Sequence, residues 1–208
     1  MATQDERRQA TREAILAAAN RQFGQSGYGN VTVDQIASEA NVAKGAVYHH
    51  FSTKADMFEA VLRGVAAGIV ADVQVALSQQ TDIMTAMLVG NRAFFASCAK
   101  PQTAQIFLRD GPSVLGWVRW REIDTSYFGG MVTDGLKSAM ALGAITERPI
   151  DPLVGLMLGA ITEAAIDCAN KADFGEAAEA YVDALEAMLQ GLRPSGGWSI
   201  LPVHGQLR

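Results

Sequence analysis

Apolar residues recur along this chain at intervals of three and four, with no sustained alternation, and predict helices almost from end to end. Ile15, Ala19 and Phe23 stand at i, i+4 and i+8 and predict a first helix from about Gln4 to Ser26. Gly27 lies where a helix end favours a left-handed residue. Thr32 then reads as an N-cap, and Gln35 can reach back to it as in a capping box. Ile36, Ala37 and Ala40 give a short second helix one apolar stripe. Asn41-Val42-Ala43 interrupts it, and a third helix is expected from Lys44 to about Phe51, with Val47 and Phe51 turned inward. Its other face shows Lys44, Gly45, Ala46, Tyr48, His49 and His50. Two short helices about a tight turn, the second exposing cationic and aromatic groups, fit a helix-turn-helix DNA reader.

A fourth helix, capped by Ser52 or Thr53, is expected from Lys54 or Ala55 to Ser78. Its apolar set of Phe58, Leu62, Val65, Ile69 and Val73 is longer than the first three helices need, which predicts a strut shared with a second region. Further helices are expected from Thr81 or Asp82 to Ala99, Thr103 to Arg109, Ser113 to Leu142 (bent or interrupted near Gly129-Gly130), Asp151 to about Asn170 and Phe174 to Gln190. The expected breaks are at Lys100-Pro101 and Asp110-Gly111-Pro112, and Asp151-Pro152 reads as a capped start. The fold class is therefore all-α. The expected division is a head, 1–53, a helical body, 54–193, and a poorly ordered tail, 194–208.

Composition narrows this. The chain has 208 residues, 49% hydrophobic and 19% charged, which is a globular profile. It lacks a run of about 20 uninterrupted apolar residues, and its polar N-terminus lacks a signal peptide's apolar region, so a cytoplasmic protein is expected. Cys98 and Cys168 lie in helical patterns without metal spacing and read as reduced, buried thiols, with a redox pair as the alternative. The net charge of −5 disfavours nucleic acid at first sight. Yet residues 1–63 hold seven basic and seven acidic side chains, and the remainder ten and fifteen. The negative excess lies wholly outside the first 63 residues, which leaves one end able to approach phosphate.

A denser pattern spans residues 12–63: Arg12, Ile15, Ala18-Ala19, Phe23, Gly27-Tyr28, Thr32, Ile36-Ala37, Ala40, Val42, Lys44-Gly45, Val47-Tyr48, His50-Phe51, Lys54 and Phe58. This combination resembles the TetR/AcrR family of bacterial transcriptional regulators, and DGPSVLGWVRWREID at 110–124 resembles a stretch common in the ligand-binding domains of actinobacterial members. The resemblance implies a nine-helix, Ω-shaped homodimer whose head binds an operator and whose body binds a small molecule that releases DNA. By position it implies that Thr32 and Tyr48 touch phosphates, and that Lys44, Gly45 and Ala46 face the major groove. His50 would meet the backbone, His49 a base or phosphate, and Lys54 a phosphate at a helix N-terminus. Many members carry Ser where this chain has Ala43 and Thr where it has Ala46. Readout here would lean on Lys44, on Ala46 against a thymine methyl, and on DNA shape. Tyr48 as a core aromatic and Lys54 as a merely solvated lysine are the plainer alternatives.

Large adaptable side chains in the middle helices could line an apolar cavity with a few orienting polar groups. The candidates are Met84, Met87, Asn91, Phe95, Phe107, Trp117, Trp120, Arg121, Met131, Glu163 and Asp167, with the Trp117–Arg121 turn foremost. Leu153, Leu156, Met157, Ala160, Ile161 and Ala164 on one late helix, with Tyr181, Ala184, Leu185 and Met188 on the last, offer more apolar surface than one domain needs. They are the expected dimer interface, in a four-helix arrangement. The expected partners are double-stranded operator DNA, a second copy of the chain and a hydrophobic effector, with no membrane, metal or cofactor. No catalytic set is visible. The competing readings are a helical small-molecule-binding protein that has lost operator binding and, further off, an enzyme.

Overall fold

The computed structural model describes residues 3–194, so the expected tail lies outside the described residues apart from Pro194. Among the described residues the fold is nine helices with no strand. Helix α1, Gln4–Ser26, starts on a capping box of Thr3 and Glu6 that the apolar pattern did not announce. It ends at Gly27, which adopts a positive φ of 76° and donates its N–H to the Phe23 carbonyl. A single 3-10 turn, Tyr28–Asn30, leads to α2, Val33–Glu39, and α3, Lys44–His50. Ile15, Ala19, Phe23, Ile36, Val47 and Phe51 are all buried, so the three helices close on one small core.

Helix α4, Lys54–Leu77, opens on a capping box of Thr53 and Asp56. At its start Phe58 packs edge-on against Phe23 and Tyr28 of the head, with ring centroids 5.4 and 5.2 Å away. At its far end Val73 and Leu77 face the body. The helix is the strut that its length predicted. Helix α5, Ile83–Cys98, capped by Asp82, lies along it.

The next segment departs from expectation. An α-helical turn, Pro101–Thr103, a π-helical stretch, Ala104–Asp110, and an α-helical segment, Gly111–Leu115, run end to end and together form α6. The break expected at Asp110-Gly111-Pro112 is absent. Gly111 is helical there (φ −50°) and the helix continues through Pro112, while the Phe107 carbonyl, five residues before that proline, accepts the Trp120 indole N–H. The true break is Gly116, at φ 80°. Helix α7, Trp117–Ala141, then passes straight through Gly129-Gly130, because burial of Phe128, Gly129 and Leu136 on its inner face outweighs the weak helix preference of glycine. Helix α8, Ile150–Ala169, starts one residue before the expected cap. Pro149 precedes it without a side-chain bond, and Asp151 lies inside its first turn. Helix α9, Phe174–Gly191, is capped by Asp173.

One continuous core joins head and body. By length and apolar content alone, α4 and α8 could each cross a membrane, but here both pack into that core. Both cysteines are buried and free, and burial pushes both thiols up, away from the reactive thiolate.

Candidate functional site

The geometry of the head is set at Thr32. Its hydroxyl accepts the Gln35 N–H (3.3 Å), and Gln35 Oε1 accepts the Thr32 N–H (2.7 Å), which fixes where α2 begins. The turn that follows places Asn41 at φ 53°, a conformation Asn tolerates, and returns the Val42 N–H to the Ala37 carbonyl. Helix α3 is thereby held with Val47 and Phe51 inward. Lys44, Gly45, Tyr48 and His49 are exposed, and Ala46 and His50 are half-buried at the edge of the same face. The plainer reading of Tyr48 as a core aromatic does not hold, since 48% of it is exposed.

The charges on this face are only loosely committed. Lys44 Nζ lies 2.8 Å from Asp34 Oδ2, which raises the lysine's pKa, but both partners are exposed and such pairs contribute little stability. Exchange of Asp34 for a phosphate or base edge is therefore cheap. Beside α3, Arg12 lies 5.2 Å over the Phe51 ring. Burial lowers the His50 pKa, and the charges of His49, Arg8 and Arg12 lower it further, so this histidine is held toward its neutral form. Arg8 and Arg12 thus extend the cationic corner, although no α1 residue is among the contacts expected from sequence. Their i, i+4 spacing on α1 was the available signal.

Lys54 stands elsewhere. Its Nζ donates to the Tyr28 carbonyl (2.6 Å) and lies 4.0 Å from the Tyr28 ring centroid. Burial lowers its pKa, while Asp110 works in the opposite direction. Asp110 Oδ2 accepts the Tyr28 N–H (2.8 Å) from the body side. The backbone of one residue, Tyr28, is thus gripped at its carbonyl by a cation on the strut and at its N–H by an anion on α6. The ammonium expected at a phosphate, or in bulk solvent, is turned instead to the junction of head and body, where a carbonyl and an aromatic face replace water.

The body holds a cavity of about 420 Å³, partly open to solvent, between α4, α5, α7 and α8. Of the sequence candidates, Met87, Asn91 and Met131 line it, together with Phe94 and Phe128. The other candidates lie elsewhere. Phe95, Phe107 and Met84 are core. Trp120 is wholly buried and donates its indole N–H to the Phe107 carbonyl (2.8 Å), whereas Trp117, three residues earlier, is 53% exposed. Arg121 pairs with buried Asp124 (2.7 Å), Asp167 accepts from Tyr181 (2.8 Å) and pairs with Lys171 (3.2 Å), and Glu163 is exposed. Arg121 and Asp167 are thus committed to partners within the chain, Glu163 is at the surface, and none of the three lines the cavity.

The expected interface divides in the same way. Met157, Ile161, Ala164 and Leu185 are buried within the protomer. These four face inward: Met157 and Ile161 line the cavity, and Ala164 and Leu185 belong to the core. Leu156 and Met188 are 71% and 51% exposed, Ala184 is exposed, and Leu153, Ala160 and Tyr181 are partly so.

Comparison with known proteins agrees with this layout. Residues 15–61 match the family described as bacterial regulatory proteins, tetR family, and residues 84–192 match the tetracyclin repressor-like C-terminal domain. Among curated proteins, the transcriptional activator FasR of Mycolicibacterium smegmatis is 35% identical over 88 residues, 42% of this chain and 40% of its own. The transcriptional repressor BepR of Brucella suis is 44% identical over 52 residues, 25% of each chain. Less than half the length of either relative is therefore aligned. Among solved structures, a TetR-family regulator from Pectobacterium atrosepticum superposes with a TM-score of 0.83 at 26% identity, covering 93% of this chain and 99% of that one.

Proposed function

Because the chain belongs to the TetR family of bacterial transcriptional regulators, we propose that it acts as a ligand-released repressor binding a palindromic operator as a homodimer. The observation that carries this is the pairing of an exposed α3 face, flanked by Arg8 and Arg12, with a body cavity whose wall includes the same helix, α4, that begins at the head. Thr32, Lys44, Gly45, Ala46, Tyr48, His49 and His50 are the proposed operator contacts, and Lys54 holds the head in place. A dimer is needed to present two such faces one helical turn of DNA apart. The proposed interface is the outer face of α8 and α9 at Leu153, Leu156, Ala160, Tyr181, Ala184 and Met188. Large exposed apolar side chains such as Leu156 and Met188 gain by being covered.

The proposed division is a head at 1–53 and a body at 54–193, in a protein working in the cytoplasm where its operator lies. The two curated relatives are named as an activator and a repressor. Repression is favoured here because a cavity on the strut suits release of DNA on ligand binding.

The test is a gel shift on DNA upstream of the protein's own gene, with binding followed as salt is raised. A dimer-sized complex that weakens steeply with salt is expected. Absence of any complex at low salt, in a protein that sediments as a folded dimer, would leave a helical ligand carrier as the reading. A monomer in sedimentation would refute the proposed interface.

A further inference from the structure

The lining of the body cavity contains no lysine, arginine or histidine. Its single charged residue is Asp134, on the exposed side of α7, which has no ion-pair partner among the described residues. Neighbouring cations are committed elsewhere. Arg92, next to Asn91, reaches Glu179 (3.6 Å) and Asp183 (4.0 Å) on α9, and Arg121 is held by Asp124. Lys137, one turn from Asp134, is exposed and outside the lining.

Gln74, Asp134 and Ser138 line the cavity from exposed positions, and one half-buried polar group lies among the apolar walls. Asn91 is half-buried, lines the cavity, and its carboxamide makes no side-chain hydrogen bond among the described residues. A carboxamide carries both donors and an acceptor, and leaving it unpaired behind an apolar ligand is costly. The walls around it are Met87, Met131 and Met157, with Phe94 and Phe128 meeting edge-to-face at a centroid distance of 5.4 Å. Thioethers and ring faces accept flat, polarisable bodies of variable outline. At the packing density of protein interiors the space suits an occupant of up to roughly 300 Å³.

We infer that the cavity takes an uncharged or cationic molecule with a ring-sized apolar body and one polar group that pairs with Asn91, and that it rejects carboxylates and other anions. An anion entering here would lose its water, gain no cation, and meet Asp134 at the exposed edge. This rests on the reading of the cavity as the effector site.

The experiment uses the full chain and three probes sharing one ring system: 2-naphthylmethanol, 2-naphthylmethylammonium and 2-naphthoate. Each is titrated calorimetrically at pH 7. The alcohol and the ammonium are expected to bind, and the carboxylate at least about tenfold more weakly. Asp134→Asn should weaken the ammonium by about threefold, the size expected of one exposed charge pair, and leave the alcohol unchanged. Asn91→Leu should weaken the alcohol. Gly135→Leu should abolish all binding, because Gly135 lines the cavity and its added Cβ would stand 3.8 Å from Met87, in open contact rather than clash. Thermal melting of that variant checks that it folds.

Carboxylate binding within threefold of the alcohol overturns the proposed class. Failure of all three probes overturns it too, and binding that survives Gly135→Leu overturns its location. Probes that bind selectively yet leave the operator complex intact in a gel shift would sustain the ligand class and refute the effector reading alone.

Discussion

Asp124 is the side chain whose ionisation is most at odds with its surroundings, and Asp124→Asn should remove a pH dependence that the wild-type protein carries. Asp124 is fully buried between α7 and α8. Arg121 Nη1 lies 2.7 Å from Oδ2, and the Thr162 hydroxyl is 3.3 Å away. Both favour the carboxylate, but burial outweighs them and pushes its pKa up to about 6 from 3.8. The folded state therefore holds this proton more tightly than the unfolded chain does. Its contribution to stability is fully present below pH 3.8 and is lost as pH rises through about 6. The span corresponds to roughly 3 kcal/mol. Asn cannot titrate, and Arg121 is partly exposed and can hydrate when the carboxylate is gone.

The assay is urea unfolding of both proteins at pH 4.5, 5.5, 6.5 and 7.5, at one protomer concentration so that any dimer contributes equally. Relative to wild type, Asp124→Asn should gain about 2 kcal/mol between pH 4.5 and 7.5, because part of the full span is already lost at pH 4.5. Carboxylates held low, such as Glu59 beside Arg119 and Asp72 beside Lys100, pull the other way but are common to both proteins and cancel in the difference. A difference that stays flat across this range, or that favours wild type as pH rises, would refute the balance of burial over pairing.

Gly111→Ala should destabilise by about 1–3 kcal/mol through overpacking. Its Cβ would stand 2.6 Å from Trp120 Cδ1 and 2.9 Å from Leu62 Cδ1, and Trp120 is pinned to the Phe107 carbonyl. An unchanged melting temperature would mean that the indole can move. Thr32→Ala should cost about 1 kcal/mol by removing the cap of α2, read by thermal unfolding, with a loss of operator affinity. Lys44→Ala should change which operator variants are preferred in competition gel shifts, and a uniform fall would make Lys44 a backbone contact. Lys54→Ala should lower the melting temperature while leaving the salt slope of DNA binding unchanged, because its ammonium is held at Tyr28. A slope smaller by about one phosphate would return Lys54 to the DNA.

Local features were legible in the sequence. The Thr32–Gln35 cap, the inward Val47 and the length of α4 each depend on residues within a turn or two of one another. Features set by distant packing were not. Asp110 and Tyr28 are 82 residues apart, and nothing in either segment announces their bond. On α7, Trp117 and Trp120 fall on one broad face by spacing, yet the first is at the surface and the second in the core. Leu156 and Met157 differ by one residue, about 100° of helix rotation, and this separates solvent from core. Periodicity finds an apolar stripe but does not say which neighbour covers which edge of it. The break misplaced at Gly111 has the same origin. That glycine makes room for an indole, which only the packed structure reveals.

The shared strut has a consequence for recombining this protein with its relatives. Phe58 belongs to the head and Val73 to the cavity wall, and the fourteen residues between them are one helix with no linker. A chimera must therefore be joined in phase. One residue inserted between those positions turns the reader about 100° against the sensor, whereas seven restore the angle to within about 20° and move the two roughly 10 Å apart. Which heads and bodies can be exchanged is thus decided by the count of residues along α4, before any side chain at the junction is considered.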